Sequence, residues 1–173
     1  ASRGLGDVYK RQKLPSSERF DFIAGQYVDI LLKDGKRRSY SMANAPNQDN
    51  FVELHIKHTP GGAFTDAIFG DGTPSINAIR EKDILRLEGP LGTFFLREDS
   101  SRPIIFLASG TGFAPIKAVI ENAITKGIDR EIHLFWGVRK PSELYMCDLA
   151  ENWEKTLKNF KFGSCSERRN KQI

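Results

Sequence analysis

Ile104-Ile105-Phe106-Leu107-Ala108-Ser109-Gly110-Thr111-Gly112-Phe113-Ala114-Pro115-Ile116 is the stretch on which the fold turns. Residues 104–108 are an uninterrupted apolar run, as expected of a parallel strand buried on both faces. A glycine loop comes next. Ile116, Ile120 and Ile124 then recur at helical spacing, and Gly127 suits the end of that helix. Downstream, residues 131–136 read as a strand. Ser142 is placed to cap a helix with a stripe of Leu149, Trp153 and Leu157. Residues 159–162 begin a third strand. Strand, helix, strand, helix and strand in that order predict an α/β unit with a parallel sheet.

Upstream the grammar differs. Residues 97–103 are polar and end in Pro103, which reads as a linker. Before it, Val28, Ile30 and Leu32 alternate within 25–32, and Asp34-Gly35 predicts a hairpin with a return strand over 36–42. Residues 44–47 read as a loop. Val52, Leu54 and Ile56 mark another strand, to about His58. Pro60-Gly61-Gly62 breaks it, a short helix is expected over 63–69, and a surface loop over 70–77. Residues 83–88 read as a strand that Gly89-Pro90-Leu91-Gly92 turns into 93–96. Short strands separated by turns predict an antiparallel barrel or sandwich.

Composition narrows the function. Of 173 residues, 39% are hydrophobic and 28% charged, which excludes disordered and collagen-like classes and allows one domain or two small ones. No apolar run approaches the roughly 20 residues that cross a bilayer, and no leader sequence is read, so no membrane partner is expected. The net charge of +4 sits in the ends. Arg3, Lys10, Arg11 and Lys13 oppose only Asp7 in 1–13, and five basic residues oppose only Glu167 in 158–173. The body between is acidic on balance, so a basic face for nucleic acid is not expected. Cys147 and Cys165 lack disulfide-scaffold, redox or metal-ligand spacing, and no C-x4-C-x2-C pattern for an iron–sulfur cluster is present. A reducing, cytoplasmic setting is expected.

Chemistry concentrates in three places. Arg38-Ser39-Tyr40-Ser41 combines a planar fork suited to phosphate, a flat aromatic face and a hydroxyl. Alone, it also reads as a solvated strand edge. Thr59-Pro60-Gly61-Gly62-Ala63-Phe64-Thr65 leaves the first amides of a helix open to an anion, with Thr65 adding a hydroxyl. It is equally a plain turn and helix start. Gly110-Thr111-Gly112-Phe113-Ala114-Pro115 comes after a buried strand and opens a helix, a setting that suits pyrophosphate. It is not G-x-G-x-x-G, and it lacks the lysine and Ser/Thr pair of a nucleotide-hydrolysing P-loop.

In combination, R-x-Y-S, P-G-G-x-x-T, G-P-x-G-x-F and G-T-G-x-A-P, with Leu134-Phe135-Trp136-Gly137-Val138-Arg139 and Leu144-Tyr145 after them, resemble the ferredoxin–NADP reductase family over residues 14–162. The R-S-Y-S-M-A-N-A-P segment is most similar to the branch of bacterial NAD(P)H-flavin and CDP-6-deoxy-glucoseen reductases. The resemblance implies an antiparallel β-barrel flavin domain over 14–99 and an α/β parallel-sheet nucleotide-binding domain over 100–162. Its cofactors are FAD and NAD(P)H. By the same resemblance Arg38 binds the flavin pyrophosphate, with Ser39 in the same motif, and Tyr40 packs on the isoalloxazine. Ser41 hydrogen-bonds near N5, and His55, Ile56 and Lys57 line the flavin. Gly61, Gly62 and Thr65 receive the pyrophosphate at the short helix. Gly110, Thr111, Gly112 and Pro115 meet the nicotinamide nucleotide, Thr111 beside the nicotinamide, with Gly137 and Arg139 near the adenosine half. Ser41 and Thr111 are thus the implied catalytic positions.

The implied activity is hydride transfer from NAD(P)H to flavin N5, then electron delivery to an iron–sulfur, flavin or other acceptor protein or domain. No metal is needed. A reductase of free flavin, or a fragment that binds flavin or nucleotide without turnover, are the alternatives. Residues 1–13 fit poorly with the strand pattern of the body and are expected to be either a non-native segment or a remnant, with Asp7-Val8-Tyr9 as what is left of an early barrel strand. Residues 163–173 are read as a tail, since Gly163-Ser164-Cys165-Ser166 lacks the family's C-G-x-P. Both domains are therefore expected to be incomplete.

Overall fold

In a computed structural model the described residues are 7–13, 20–46, 51–70, 78–80 and 83–166. Eight strands and three helices succeed one another along them: β1 (Asp7–Lys13), β2 (Tyr27–Leu31), β3 (Arg37–Ser41), β4 (Phe51–Lys57), α1 (Ala63–Phe69), β5 (Arg86–Leu91), β6 (Ile104–Ser109), α2 (Phe113–Thr125), β7 (Ile132–Val138), α3 (Cys147–Thr156) and β8 (Phe160–Ser166). The expected loop over 70–77 lies, beyond Gly70, outside the described residues.

The strands before residue 100 are antiparallel wherever they pair. β1 pairs with β4, and β3-β2-β5 form a second sheet. A Met42–Leu54 bridge joins the two. Alternation explains the interior: Val28 and Ile30 from β2, and Val52, Leu54 and Ile56 from β4, bury into one core with Met42 and Phe64. The second core lies between a parallel sheet of order β6-β7-β8 and the helices α2 and α3. Its centre is Phe113 stacked on Trp136, ring centroids 4.0 Å apart and 16° from parallel. Such a pair contributes about 1 kcal/mol beyond its burial.

The structure corrects several expectations. Of the two readings of residues 1–13 the strand is the one seen, and it is longer than Asp7-Val8-Tyr9: Asp7–Lys13 runs in seven-residue register with Lys57–Phe51. At the other end β8 continues to Ser166, past the expected limit at 162. Gly89 and Pro90 do not turn the chain. They lie within β5, where the β2–β5 register shifts between Tyr27 and Asp29, and a bulge tolerates a residue with no N–H; residues 93–96 form no strand. β6 is buried on one face only. Ile104, Phe106 and Ala108 point inward, while Ile105 and Leu107 are 66% and 76% exposed. It is an edge strand of a sheet whose helices cover one side. Ser142 lies in a separate single turn, Pro141–Glu143, and α3 starts only at Cys147.

The junction of the cores is a close backbone fit. Gly25 has φ +101°, and a Cβ there would run into the Phe94 carbonyl. Gly35 also has positive φ (+78°), but open space surrounds it. Gly25→Ala is therefore expected to destabilise the chain by about 2 kcal/mol or more, against about 1 kcal/mol for Gly35→Ala. Urea unfolding of the two variants measures the difference, and equal losses would refute the clash.

Candidate functional site

β3 separates its side chains by the pleat. Arg37 turns to Glu88 (2.6 Å) and Asp29 (3.6 Å), and the Ser39 hydroxyl donates to Asp29 Oδ1 at 2.6 Å. Arg38 and Tyr40 take the other face. Arg38 Nη1 donates to the Arg37 carbonyl, and among the described residues its guanidinium has no acidic partner. Tyr40 is half-buried, and desolvation raises its phenol above the usual range, so it stays a neutral hydroxyl. Its ring lies 5.6 Å from Phe64 in α1. That contact sets the Arg38–Tyr40 face beside the Gly61–Gly62 turn. By the same alternation Ser39 and Ser41 lie on the far face from Arg38 and Tyr40.

In the turn before α1, the Thr65 hydroxyl donates to the Thr59 carbonyl (2.8 Å) and accepts from the Thr59 amide. It closes the loop together with the Gly62 amide, which donates to the Thr59 carbonyl at 2.9 Å, and leaves the Gly61 amide as the open glycine donor among the described residues. A Cβ at Gly62 would press on Thr65 Oγ1 and the Thr59 carbonyl, which fixes glycine there. A Cβ at Gly61, Gly110 or Gly112 would meet nothing within 4 Å. An uncompensated guanidinium, a flat half-buried phenol and open glycine cradles are the donor set that a flavin dinucleotide requires, so the residues fit that group.

The second glycine cradle forms a single helical turn, Gly110–Gly112, at the carboxyl end of β6. The Trp136 indole N–H donates to the Gly110 carbonyl at 3.0 Å and pins it. Pro115 sits in the first turn of α2, where its missing N–H costs nothing. Thr111 is half-exposed in the cradle. Gly137 pairs in register with Ser109, so both glycine positions top adjacent parallel strands, the usual ligand end of such sheets. Arg139 lies beyond it, its backbone N–H donating to Glu143. A separate hollow of about 300 Å³ lies at the opposite end of the sheet, among Ile128, Leu157 and Asn159. It is remote from these groups.

β4 joins the two halves. Ile56 points into the first core, but Glu53, His55 and Lys57 share the other face and each reaches the second half. Lys57 Nζ lies 2.7 Å from Glu143. Hydrogen bonds from Lys57 and the Lys140 amide hold the Glu143 carboxyl down at about 2. His55 is 4% exposed, its Nδ1 2.7 Å from the Tyr145 hydroxyl and its Nε2 3.2 Å from Glu53. With Nε2–H donating to Glu53, Nδ1 accepts from Tyr145. The His55 ring stacks toward Phe113, so its side chain is committed to this seam. Lys117 of α2, 5% exposed, lies 3.2 Å from Glu53, 2.9 Å from Glu121 and 3.0 Å from the Ala43 carbonyl. Removing one partner from such a buried group costs roughly 3–5 kcal/mol.

Sequence reasoning does not pick out Glu53, Lys117, Glu121 or Tyr145 as site residues. The available signal is a charge at 53 inside an alternating strand and one at 117 inside an apolar helix. His58 pairs with Asp66 at 2.7 Å, and Cys147 Sγ lies 3.4 Å from Glu151, with burial raising its thiol. Among the described residues no three His, Cys, Asp or Glu gather to hold a metal, and no helix is long and apolar enough to cross a membrane.

Comparison with known proteins gives a consistent family. Residues 8–96 match the oxidoreductase FAD-binding domain, and 106–172 the oxidoreductase NAD-binding domain. Reductase component 1 of terephthalate 1,2-dioxygenase from Comamonas sp. is 41% identical over 88% of this chain and 43% of its own length. The CDP-6-deoxy-L-threo-D-glycero-4-hexulose-3-dehydrase reductase of Yersinia pestis is 43% identical over 82% of the chain and 40% of its own. The crystal structure of the Amycolatopsis cytochrome P450 reductase GcoB superposes with a TM-score of 0.79 at 32% identity, over 95% of this chain and 48% of that one. The chain thus spans less than half the length of these relatives.

The seam titrates. Burial opposes ionisation of Glu53, but the His55 hydrogen bond and Lys117 outweigh it and hold its carboxyl at about 2, below the ordinary 4.5. A depressed carboxylate contributes stability above its unfolded value and loses it as pH falls toward the folded one. Stability is expected to drop between about pH 4.5 and 2, and Glu53→Gln to flatten that part of the curve. Burial raises Glu121 instead, so its contribution has the opposite sign. Urea unfolding at a series of pH values checks this; an unchanged slope in Glu53→Gln would count against it.

Proposed function

The chain belongs to the FAD- and NAD-binding oxidoreductase family whose two domains it carries, and on that premise we propose that it is a flavin-dependent NAD(P)H oxidoreductase serving an electron-acceptor protein. One observation carries the reading. The strand bearing Arg38, Tyr40 and Ser41 leads directly into Met42–Ala43, and the Ala43 carbonyl is held by the helix that the Gly110–Gly112 turn opens. A flavin site and a nicotinamide site are thereby adjacent.

Arg38 neutralises the pyrophosphate of the flavin and the Gly61 amide hydrogen-bonds it, while Gly62, its own amide given to the Thr59 carbonyl, keeps the turn tight. Tyr40 offers its face to the isoalloxazine, and Ser41, at the end of the strand, is the residue we assign to N5. The backbone of His55, Ile56 and Lys57 lines the ring, since the His55 and Ile56 side chains are engaged elsewhere. Gly110, Thr111, Gly112 and Pro115 seat the nicotinamide half, and Gly137 and Arg139 the adenosine half. When bound, FAD supplies the hydride acceptor and passes electrons onward. The protein's part is to hold two rings in contact and exclude water.

An iron–sulfur protein or domain is the acceptor we assign, supported by the 35% identity to the ferredoxin–NAD(P)+ reductase component of the naphthalene 1,2-dioxygenase system of Pseudomonas putida. The free thiols of Cys147 and Cys165 support a reducing, cytoplasmic setting. The division near residue 100, between the two cores, is the domain boundary we adopt.

Titration of the chain with FAD, then anaerobic NADH and finally NADPH, tests the function. A bound flavin band that bleaches with one nucleotide is expected. Arg38→Ala should weaken FAD roughly ten- to a hundredfold. Absence of binding by the chain, or an Arg38→Ala variant that binds equally well, would overturn the reading.

A further inference from the structure

Lys117 is the most costly side chain at the seam, and the proposed reaction assigns it no role. An ammonium has three donors, and here all three are taken: Glu53 from β4, Glu121 one turn along α2, and the Ala43 carbonyl. Glu121 Oε1 takes the ammonium, while its Oε2 is buried with no hydrogen-bond partner among the described residues. Lys117 of α2 therefore grips Ala43, in the segment that follows Ser41. At its other end α2 begins at the Gly110–Gly112 turn.

Packing alone does not explain a charge here. Ala114 and Ala118, its neighbours on the helix, are buried and apolar. An apolar side chain of similar length would fill the volume without the desolvation that a buried ammonium suffers. What a saturated ammonium adds is direction. Glu121, on α2 itself, orients the ammonium, and the two acceptors outside the helix, Glu53 on β4 and the Ala43 carbonyl, define one position for α2 relative to the Met42–Ala45 backbone, where dispersion contacts allow sliding.

We propose that Lys117 is a positioning residue for hydride transfer: its ammonium clamps α2, and with it the Gly110–Gly112 turn, to the backbone just after the Arg38–Ser41 strand. The clamp sets the distance between the nicotinamide and the flavin, and the inference rests on the reading that these two cradles hold those rings. Hydride transfer is steep in that distance, because a displacement of about 1 Å lowers rates by up to about a hundredfold. Lys117 itself touches neither ring's cradle, so its loss should slow transfer without loosening either cofactor.

The test compares the full chain with Lys117→Met, and with Lys117→Met combined with Glu53→Gln and Glu121→Gln. The triple variant leaves no unpaired charge and guards against a failure to fold. Three quantities are measured: FAD affinity, the limiting rate of flavin reduction at saturating NADH or NADPH with its half-saturating concentration, and amide hydrogen exchange over 43–45 and 110–114. The expected result is a limiting rate lower by about tenfold or more, affinities for both cofactors within about threefold, and faster exchange in both segments together. An unchanged rate overturns the proposal, as does a rate loss matched by an equal loss of FAD affinity, which would mark a merely structural role. If the unmodified chain bleaches with neither nucleotide, the functional reading fails instead. Exchange alone then decides whether the clamp exists, and unchanged protection would refute it.

Discussion

A strand presents successive side chains to opposite sides, and β4 uses that constraint to serve two interiors at once. Val52, Leu54 and Ile56 complete the first core, while Glu53, His55 and Lys57 reach into the second half of the molecule. β1 hangs on its edge, and the Met42–Leu54 bridge ties it to the strand bearing Arg38. A one-residue slip of β4 would bury Glu53 and His55 in an apolar core and hand Leu54 to the seam. The alternation within 52–57 therefore fixes both the packing of the first core and the approach of the two cradles.

The same pleat sorts charge on β3. Arg37 and Arg38 are chain neighbours, yet Arg37 is neutralised by Glu88 and Asp29 while Arg38, among the described residues, is left without an acid. The uncompensated cation is the one on the face shared with Tyr40. Electrostatic readiness for an anion comes from which acids β2 and β5 place on the opposite face, a property of the sheet rather than of either arginine.

Much of this is legible in the sequence. The helix over 63–69 can be read at its observed bounds, because Gly61-Gly62 ends one period and Phe64 begins another. The three motifs stand out because close backbone approach needs glycine and anion binding needs arginine, and both are local demands. Burial is harder. The run Ile104–Ala108 reads as a two-sided strand only if something covers both sides, and the second face of β6 carries Ile105 and Leu107 into solvent. The seam is illegible for a different reason. His55 and Tyr145 lie 90 residues apart, and Lys117 and Ala43 lie 74 apart. A single charge in an apolar period carries no record of its partner, so Glu53 and Lys117 acquire meaning only when the chain closes on itself.

The pinning of Gly110 by an indole has an optical consequence. Trp136 is fully buried, stacked on Phe113 and edge-on to Tyr145, with its N–H bonded to the carbonyl at the start of the glycine turn. Indole emission responds to the hydrogen bond at Nε1 and to the rings around it. With Trp153 as the other tryptophan of the chain, also buried, the protein carries an intrinsic fluorophore wired to the loop that we assign to the nicotinamide nucleotide. Small rearrangements of that loop become changes of colour and intensity, with no label attached.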